Sequence, residues 1–387
     1  MTMTCRLAVA LALAACAAPP RDVAFDARSV RIAMFNAALN RDAPTALINE
    51  LVAGSEAASA VAAIVQRVRP DVLVLQEFDR DPTDVAIDLF RSRYLAVPQH
   101  GEQAIEYPYR WVAASNTGEP SGFDLDGDGK RDGPGDAFGF GRHPGQFGFA
   151  ILSRHPIETA AVRSFRALPW SAMPGNAMPP GFFAPDAAAA VRLSSKDHVD
   201  VPVHLPDGRT LHLLVSHPTP PVFDGDEDRN GRRNHDEIRF WADYLSGDDS
   251  RWIVDEAGVR GGLASGAHFV VCGDLNSDPN DGDSFGRPIR MLLDHPRIDG
   301  TFVPRSAGAV EATRRDLGKN AAHISSADAD TADFDDQAGP GNLRCDYVLP
   351  GRTLRVAAGG VFWPSPGEPG FALVSASDHR LVWLDVK

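Results

Sequence analysis

The sequence predicts a layered α/β fold. Two features carry this prediction. A strand, a helix and a second strand follow one another early in the chain, and the later apolar runs are short and separated by loops rich in Gly, Pro and Asp. The chain has 387 residues, 43% of them hydrophobic, and can therefore bury a large core. This length fits one large domain or two smaller ones.

The first strand, helix and strand are justified by their hydrophobic periods. Residues 30–36 alternate between the two faces of a strand and end on a polar residue. Residues 56–69 carry apolar and small side chains at helical spacing, and Pro70 ends this helix. Residues 71–77 are almost continuously apolar, as in a strand that is buried on both faces.

Five further strands and one further helix are predicted from later apolar runs. The strands are expected at residues 147–153, 210–217, 268–273, 345–349 and 379–386, and the helix at residues 236–245. Long loops are expected at residues 116–145, 168–185, 218–234 and 305–342. Loops of this length in a compact domain more often form the walls of a functional site than simple connections.

The first residues have the composition of an export signal. Residues 1–15 combine Arg6 with an apolar run, too short to span a bilayer permanently, followed by small residues. The sequence Leu13-Ala14-Ala15-Cys16 resembles a bacterial lipoprotein box, which implies a lipid on Cys16 and a membrane-tethered protein; the alternative is a plain signal of a secreted protein. Residues 16–28 are then a tether, and residues 29–387 the catalytic domain. The remaining Cys272 and Cys345 can be disulfide partners or free thiols.

The formal net charge of −14 argues against a broad basic surface. Non-specific binding to nucleic acid depends on Lys and Arg that neutralise phosphates. A long duplex is therefore not favoured as the substrate. The sequence does not indicate an oligomeric state.

Polar residues stand at the ends of most of the predicted strands, scattered along the chain. They are Asn36, Glu77, Asp274, Asn276, Asp346, Asp378 and His379. Carboxylates gathered at one edge of a sheet repel one another unless they share a cation or a proton. Carboxylates, amides and imidazoles around one hard cation can hydrolyse a phosphate ester.

With these residues, several short motifs resemble the endonuclease/exonuclease/phosphatase superfamily, which includes DNase I-like nucleases, neutral sphingomyelinases and inositol-phosphate phosphatases. The motifs are Phe35-Asn36, Leu75-Gln76-Glu77, residues 148–154, Ser216-His217, Gly273-Asp274-Leu275-Asn276, Arg344-Cys345-Asp346-Tyr347 and Ser377-Asp378-His379. The resemblance covers residues 30–387. It implies a four-layer α/β sandwich, with two mixed β-sheets packed face to face, helices outside and the site at one end.

The resemblance also implies which residues hold the metal and the water. Glu77 would ligate the catalytic divalent cation, with Asn36 and Asp378 close to it. Asp274 would orient and deprotonate the attacking water. Mg²⁺ is the expected ion, with Mn²⁺ and Ca²⁺ as alternatives.

Four further residues are implied to act on the phosphate group. Asn276 would hold a phosphate oxygen, and His379 would contact the scissile phosphate, with its tautomer fixed by Asp346. His217 would stabilise the transition state or assist the leaving group. His212 and His204 lie on the same stretch and are alternatives to His217.

Two acidic segments resemble loops that bind calcium. Asp124, Asp126, Asp128 and Asp132 place carboxylates at a spacing that suits an accessory or structural Ca²⁺, although Gly135 stands where such a loop has its closing Glu. Residues 226–237 match the full EF-hand pattern, but bulky and basic residues lie inside the loop. The alternatives are that Arg232, Arg233 or His235 hold substrate phosphate, or that the segment flanks the following helix.

The sequence thus predicts an exported, divalent-metal-dependent hydrolase that cleaves a phosphate ester, with a phosphodiesterase favoured. The alternatives are a phosphomonoesterase acting on inositol phosphates or similar compounds, an extracellular nuclease, and a catalytically silent protein that binds a phosphate ligand. The silent protein is disfavoured because Glu77, Asp274 and His379 are all present.

Overall fold

The computed structural model describes residues 29–387, apart from the side chain of residue 248. The predicted signal peptide, the tether and Cys16 lie outside the described residues. The strands are β1 (Val30–Leu39), β2 (Val72–Phe78), β3 (Tyr109–Val112), β4 (Phe149–Ser153), β5 (Arg163–Ser164), β6 (His198–His204), β7 (Thr210–Ser216), β8 (His268–Asp274), β9 (Ala332–Asp333), β10 (Asn342–Leu343), β11 (Asp346–Pro350), β12 (Val356–Val361) and β13 (Val382–Val386). The α-helices are α1 (Ala46–Ala53), α2 (Glu56–Val68), α3 (Val85–Leu89), α4 (Pro185–Ala190), α5 (Arg229–Leu245), α6 (Ile289–Leu293) and α7 (Ala307–Asp316).

The strands form two large mixed sheets. The first has the order β12-β13-β1-β2-β4-β3, in which β1 and β2 run parallel and the other neighbours antiparallel. The second has the order β11-β8-β7-β6-β5, in which β7 and β8 are the parallel pair. A separate two-stranded ribbon pairs β9 with β10.

Apolar side chains on both faces of each sheet stack the layers. Between the sheets, Ile32 and Val74 of the first sheet pack in one core with Val201 and Val270 of the second. The outer face of the first sheet is covered by α1 and α2, and that of the second by α5 and α6. Burying one such aliphatic side chain stabilises the fold by about 1.5–3 kcal/mol. This arrangement is the four-layer α/β sandwich that the resemblance implied.

Several elements were missed or misplaced by the sequence analysis. Helix α5 begins at Arg229 rather than at residue 236, and α7 lies inside the predicted loop 305–342. Strand β6 was not predicted, because His198 and Asp200 interrupt its apolar pattern. Both side chains are buried and hydrogen-bonded: His198 Nε2 bonds to the Glu237 carbonyl, and Asp200 Oδ2 accepts from the Tyr244 hydroxyl.

Two further sequence questions have answers in the fold. Cys272 and Cys345 are buried free thiols, so they do not form a disulfide. Within residues 29–387 no single helix is long and apolar enough to cross a membrane, although α1 and α2, bent by 78° at their junction, reach that length and composition as a pair.

Candidate active site

The site lies where strand ends of both sheets meet. Asn36 of β1 pairs with Gln76 of β2, and Glu77 follows Gln76. In the second sheet, Asp274 at the end of β8 pairs with Asp346 at the start of β11. The pairing of the strands therefore brings together residues that are far apart in the sequence.

Gln76 fastens the two sheets to each other at this end of the sandwich. Its side-chain Nε2 donates to the Ser216 carbonyl at 2.8 Å, and its Oε1 accepts from the Asp274 backbone N–H at 2.7 Å. Gly273 leaves room for this contact, because a Cβ there would lie 2.0 Å from the Ser216 carbonyl oxygen. The Asp274 carboxylate is thus positioned by a side chain of the other sheet.

The Asp274 carboxylate is the centre of the polar cluster. Its Oδ2 accepts from Asn36 Nδ2 at 3.1 Å and lies 3.4 Å from His217 Nε2 and 3.6 Å from His379 Nε2. Its Oδ1 accepts from the Asn276 backbone N–H at 3.0 Å. Five residues implied by the family resemblance, Asp274 included, therefore meet at one carboxylate.

Asp274 and His217 differ in charge state. Burial favours the neutral form of Asp274, but the charge on His379 and the hydrogen bond from His217 outweigh it, so the pKa of Asp274 is below its usual range. Burial, aided by the nearby ammonium of Lys196, lowers the pKa of His217. Asp274 is therefore ionised, and His217 neutral, at physiological pH.

His379 is oriented and charged by Asp346. His379 Nδ1 donates to Asp346 Oδ2 at 2.9 Å, and the Thr331 hydroxyl donates to the same oxygen at 2.7 Å. The Ser377 hydroxyl accepts from the His379 backbone N–H. Burial would lower the pKa of His379, yet the carboxylates of Asp346 and Asp274 raise it well above the ordinary value. The ring is therefore an imidazolium whose Nε2 points toward Asp274.

Two site residues adopt left-handed backbone conformations. Glu77 has φ 52° and Asn276 has φ 51°, values that L-residues seldom adopt and that cluster at functional sites. Glu77 Oε2 accepts from Asn40 Nδ2 at 2.8 Å. The Asn276 side-chain amide donates to the Pro218 carbonyl at 3.1 Å.

The residues expected to hold a cation fit a hard divalent ion. Glu77 is only half-buried, and its Oε1 makes no hydrogen bond within residues 29–387. The exposed Asp378 carboxylate likewise has no hydrogen bond or ion pair among the described residues, and its charge acts on His379. Asn36 Oδ1 accepts one long hydrogen bond, at 3.3 Å from the Ala38 N–H. Carboxylate and amide oxygens of this kind are the ligands that Mg²⁺ prefers.

A second set of ligand atoms is closer together but already engaged. One potential ligand atom each from Asp274, Asp346 and His379 lies within 4.8 Å of the others. Within this set, His379 and Asp346 are already hydrogen-bonded to each other. The raised pKa of His379 also opposes metal binding at its ring. We therefore assign these three residues to proton and phosphate chemistry rather than to the metal.

Three residues of the site were missed by the sequence analysis: Lys196, Gln76 as a sheet fastener, and Thr331. Lys196 precedes the unpredicted strand β6, and burial lowers its pKa against the charges of Glu237, Glu77 and Asp274. No local pattern reveals the role of Gln76, since its contacts span 140 and 198 residues. The Ser194-Ser195-Lys196 triplet, polar residues directly before an alternating run, was the available signal for Lys196.

The sequence pattern of the Endonuclease/Exonuclease/phosphatase family matches residues 35–379. The chain belongs to this family. Its members are metal-dependent phosphoester hydrolases, so the enzyme class expected from the sequence is confirmed at that level, as is the use of a divalent cation. No curated protein matches the chain.

Solved structures resemble this chain at low sequence identity. An endonuclease/exonuclease/phosphatase from Beutenbergia cavernae has a TM-score of 0.50 and 19% identity, over 93% of this chain and 72% of that chain. A family protein from Leptotrichia buccalis has a TM-score of 0.47 and 15% identity, over 92% and 99% of the two chains. Sphingomyelinase C from Streptomyces griseocarneus has a TM-score of 0.46 and 14% identity, over 92% and 99%. The Beutenbergia structure confirms the family's sandwich fold for this chain.

Of the three candidate imidazoles, His217 is the one beside Asp274. His212 Nδ1 bonds to Asp200 Oδ1 at 2.7 Å, and His204 lies 3.3 Å from Glu158. Both are thus engaged by other carboxylates. His217 Nδ1 is buried without a hydrogen-bond partner among the described residues, so it is free to accept a proton from a ligand.

The segment of residues 226–237 is not an EF-hand. Helix α5 begins at Arg229, so Glu237 lies inside a helix, where its carboxylate accepts from the Ser195 N–H and the Thr219 N–H. Arg233 donates to backbone carbonyls that include Leu193. The other basic residues are also engaged, Arg232 with the Glu227 carbonyl and His235 with Asp236. Residues 229–237 therefore belong to a helix rather than to a calcium-binding loop.

The acidic loop after residue 123 gathers a different set of carboxylates from the set expected. Ligand atoms of Asp124, Asp126 and Asp136 lie within 4.8 Å of one another. Asp128 instead pairs with Lys130, and Asp132 is exposed outside this group. The expected membership of Asp128 and Asp132 thus has no support in the geometry, and Asp136 takes their place.

Proposed function

We propose that this chain is an exported, Mg²⁺-dependent phosphodiesterase. One observation carries the proposal: the ionised Asp274, the imidazolium of His379 and the open carboxylate of Glu77 are gathered at one end of the sandwich. This set supplies a water-orienting acceptor, a cation for phosphate and a ligand for metal.

Each residue has a role that its charge and contacts support. Asp274, ionised at working pH, accepts a hydrogen bond from the attacking water and takes its proton. His379, held by Asp346, donates from Nε2 to a phosphate oxygen, and the Asn276 amide binds another. His217 stabilises the transition state or assists the leaving group.

Asn36, Glu77 and Asp378 would hold the divalent cation. When bound, the ion neutralises charge on the phosphate oxygens. The acidic charge of the whole chain supports a small ester rather than a long duplex.

Export and anchoring are part of the proposal and rest on residues 1–16. If Cys16 carries a lipid, the mature protein partitions into detergent and Cys16→Ser moves it to the aqueous phase. An unchanged partition, or a mature N-terminus that does not begin at Cys16, contradicts the anchor but not the enzymatic proposal.

A panel of esters tests the activity. It comprises an artificial diester, a monoester, DNA, sphingomyelin and phytate, each with Mg²⁺, Mn²⁺ and Ca²⁺. We expect Mg²⁺-dependent cleavage of a diester, and Asp274→Asn should lower turnover about 10²–10⁴-fold without changing the metal concentration required. Melting curves show whether the variant is folded. Near-parental hydrolysis by folded Asp274→Asn would overturn the mechanism. If the parent cleaves the monoester or DNA faster than the diester, that ester is the substrate class instead.

A further inference from the structure

A cavity of about 540 Å³ lies beside α6, and none of the proposed active-site residues lines it. Its walls also include the loops after β8 and α6 and the segment that joins β10 to β11. The charged side chains that line it are four arginines and two carboxylates: Arg290, Arg305, Arg344, Arg352, Asp278 and Asp294. We propose that this cavity binds a phosphate group, with the guanidinium of Arg344 as its buried contact.

Arg344 is a buried arginine whose charge has no partner. Only 7% of the residue is exposed, yet its guanidinium group makes neither a hydrogen bond nor an ion pair within residues 29–387. The group lies over the ring of Tyr347, 4.8 Å from the ring centroid. Its nitrogens are not among the fully enclosed unpartnered atoms of residues 29–387, so they reach the solvent of the cavity. A charge withdrawn from water in this way is costly until an anion pairs with it.

The nearby carboxyl groups do not supply that anion. One oxygen of Asp278 accepts from the Ser325 hydroxyl at 2.8 Å and from two backbone N–H groups of its own loop. The other oxygen accepts from the backbone N–H of Arg344, not from its side chain, at 3.0 Å. Burial and the charge of Asp278 raise the pKa of Asp330 to about 8, so that carboxyl is neutral at pH 7. Asp294 is exposed and forms no ion pair with the arginines of the cavity.

The other three arginines are exposed, and two of them bring further charge that no carboxylate pairs with. Arg290 Nη2 and Arg352 Nε donate to neutral oxygens, of a side-chain amide at 2.8 Å and of a backbone carbonyl at 3.1 Å. Arg305 differs, because it forms an ion pair with Asp328. An anion in the cavity therefore meets one buried and two exposed guanidinium groups that are available to it.

The chemistry of these groups favours phosphate as the anion. A guanidinium group is planar, stays charged at physiological pH and matches two phosphate oxygens with parallel hydrogen bonds. A phosphate group carries about −1.5 to −2 at pH 7, so a single group can interact with several arginines at once. Binding it would remove the cost of burying Arg344.

The cavity is separate from the proposed active site but connected to it by short segments of chain. Asp278 stands two residues after Asn276, and Arg344 stands two residues before Asp346. The hydrogen bond from Arg344 to Asp278 joins these two segments. The phosphate site is thus a second site of the molecule, and the inference does not depend on the proposed function.

Calorimetric titration of inorganic phosphate into the full-length chain in EDTA tests the inference. Arg344→Met removes the buried charge and should lower the affinity at least about 10-fold, as for a lost hydrogen bond to a charged group. Arg352→Met removes an exposed charge and should lower it about 3-fold. Arg260→Met, the same change at an exposed arginine outside the cavity, should keep the parental affinity.

Two further titrations identify the ligand. Glycerol 2-phosphate distinguishes the sources of the phosphate group: tighter binding than inorganic phosphate supports an organic phosphate as the ligand, and weaker binding supports free phosphate. Succinate should bind at least about 10-fold more weakly, because its two charges are carried by separate groups. Equal affinity for succinate would overturn the assignment to phosphate.

The inference is overturned if the parent binds no phosphate in EDTA, or if folded Arg344→Met keeps the parental affinity. Should Arg344→Met fail to fold, the double variant of Arg290→Met and Arg352→Met, both at exposed positions, decides in the same way. Phosphate binding that is lost in His379→Ala and kept in the arginine variants would belong to the active site and also overturn the inference. Ester hydrolysis is measured separately, so the failure of either proposal leaves the other standing.

Discussion

At the scale of single residues, the site is built by pairing each reactive group with one that fixes its charge. Asp346 keeps His379 protonated, and His379 in turn helps to keep Asp274 ionised. His217 differs, because burial and Lys196 keep it neutral. Environments that drive neighbouring groups into different charge states are typical of catalytic sites.

Removing His379 and Asp346 singly and together tests whether they act as one unit. His379→Ala should lower kcat/KM by about 10²–10³-fold, since it removes a charged donor to the phosphate. Adding Asp346→Ala should cost little more, because Asp346 acts through His379. Steady-state kinetics of the three variants, each checked for folding by melting, give the answer. If the loss of kcat/KM in the double variant equals the product of the two single losses, Asp346 has a separate role.

The site residues that could be predicted from the sequence are those that stand in short motifs at the ends of strands. Asn36, Glu77, Asp274 and His379 each stand at a strand end within a short motif, and the structure brings three of them, Asn36, Asp274 and His379, into one cluster. Gln76 also lies within one of these motifs, but its role in joining the two sheets depends on a partner 140 residues away. Interactions at that distance are set by how the sheets stack, which the local pattern does not encode.

At the scale of elements, buried hydrogen bonds join the strands to their neighbours where apolar packing gives way to the site. Gln76 of β2 reaches β7 and β8, and His198 of β6 reaches α5. Buried polar groups cost free energy when their partners are lost. We therefore expect stability and the geometry of the site to change together when these links are cut.

Gln76→Ala should destabilise the fold and disturb Asp274. The change leaves the Ser216 carbonyl and the Asp274 N–H buried without partners, which costs about 2–4 kcal/mol. The free energy of unfolding in urea measures this loss. Gln337→Ala, at an exposed glutamine, should change it by less than about 0.5 kcal/mol. An equally small effect of Gln76→Ala would show that the sheets do not depend on this link.

His198 should make the fold sensitive to acid. Burial lowers the pKa of His198 to about 4, below the 6.5 expected in the unfolded chain. The unfolded state therefore binds the proton first, and stability is lost as the pH falls from about 6.5 to about 4, by about 3 kcal/mol from this group. Urea unfolding of the parent and of His198→Gln at pH 7 and pH 4.5 should show a shallower decline in the variant. His204→Gln, at the exposed end of the same strand, should keep the parental decline.

At the scale of the whole molecule, the layers and their order were predictable, while several element boundaries were not. The strand, helix, strand start and the buried runs at β7 and β8 follow from hydrophobic period alone. The early start of α5 was missed because Asn230, Gly231 and Asn234 look like loop residues. Asn234 is buried in the structure, where its side-chain Nδ2 donates to the Thr219 and Leu275 carbonyls.

An accessory Ca²⁺ bound in the acidic loop after residue 123 would affect the stability of the whole molecule. Asp126 packs against Gly135, where a Cβ would lie 2.2 Å from its carboxylate oxygen, so Gly135 leaves space for Asp126 in the place of a closing Glu. Asp136 supplies the third carboxylate of the group. A loop that binds Ca²⁺ only when folded stabilises the native state, by about 2.7 kcal/mol at 100 times its Kd.

We expect Ca²⁺ to raise the melting temperature of the parent and Asp126→Asn to abolish this rise, while the metal concentration needed for hydrolysis stays unchanged. Asp132→Asn is the matched control. The spacing in the sequence made Asp132 a ligand, but the structure places it outside the group, so this variant should keep the full stabilisation. Loss of the Ca²⁺ effect in Asp132→Asn would favour the sequence-based ligand set. A parent whose melting is indifferent to Ca²⁺ would show that the carboxylates only shape the loop, through bonds such as that from the Leu125 N–H to Asp136.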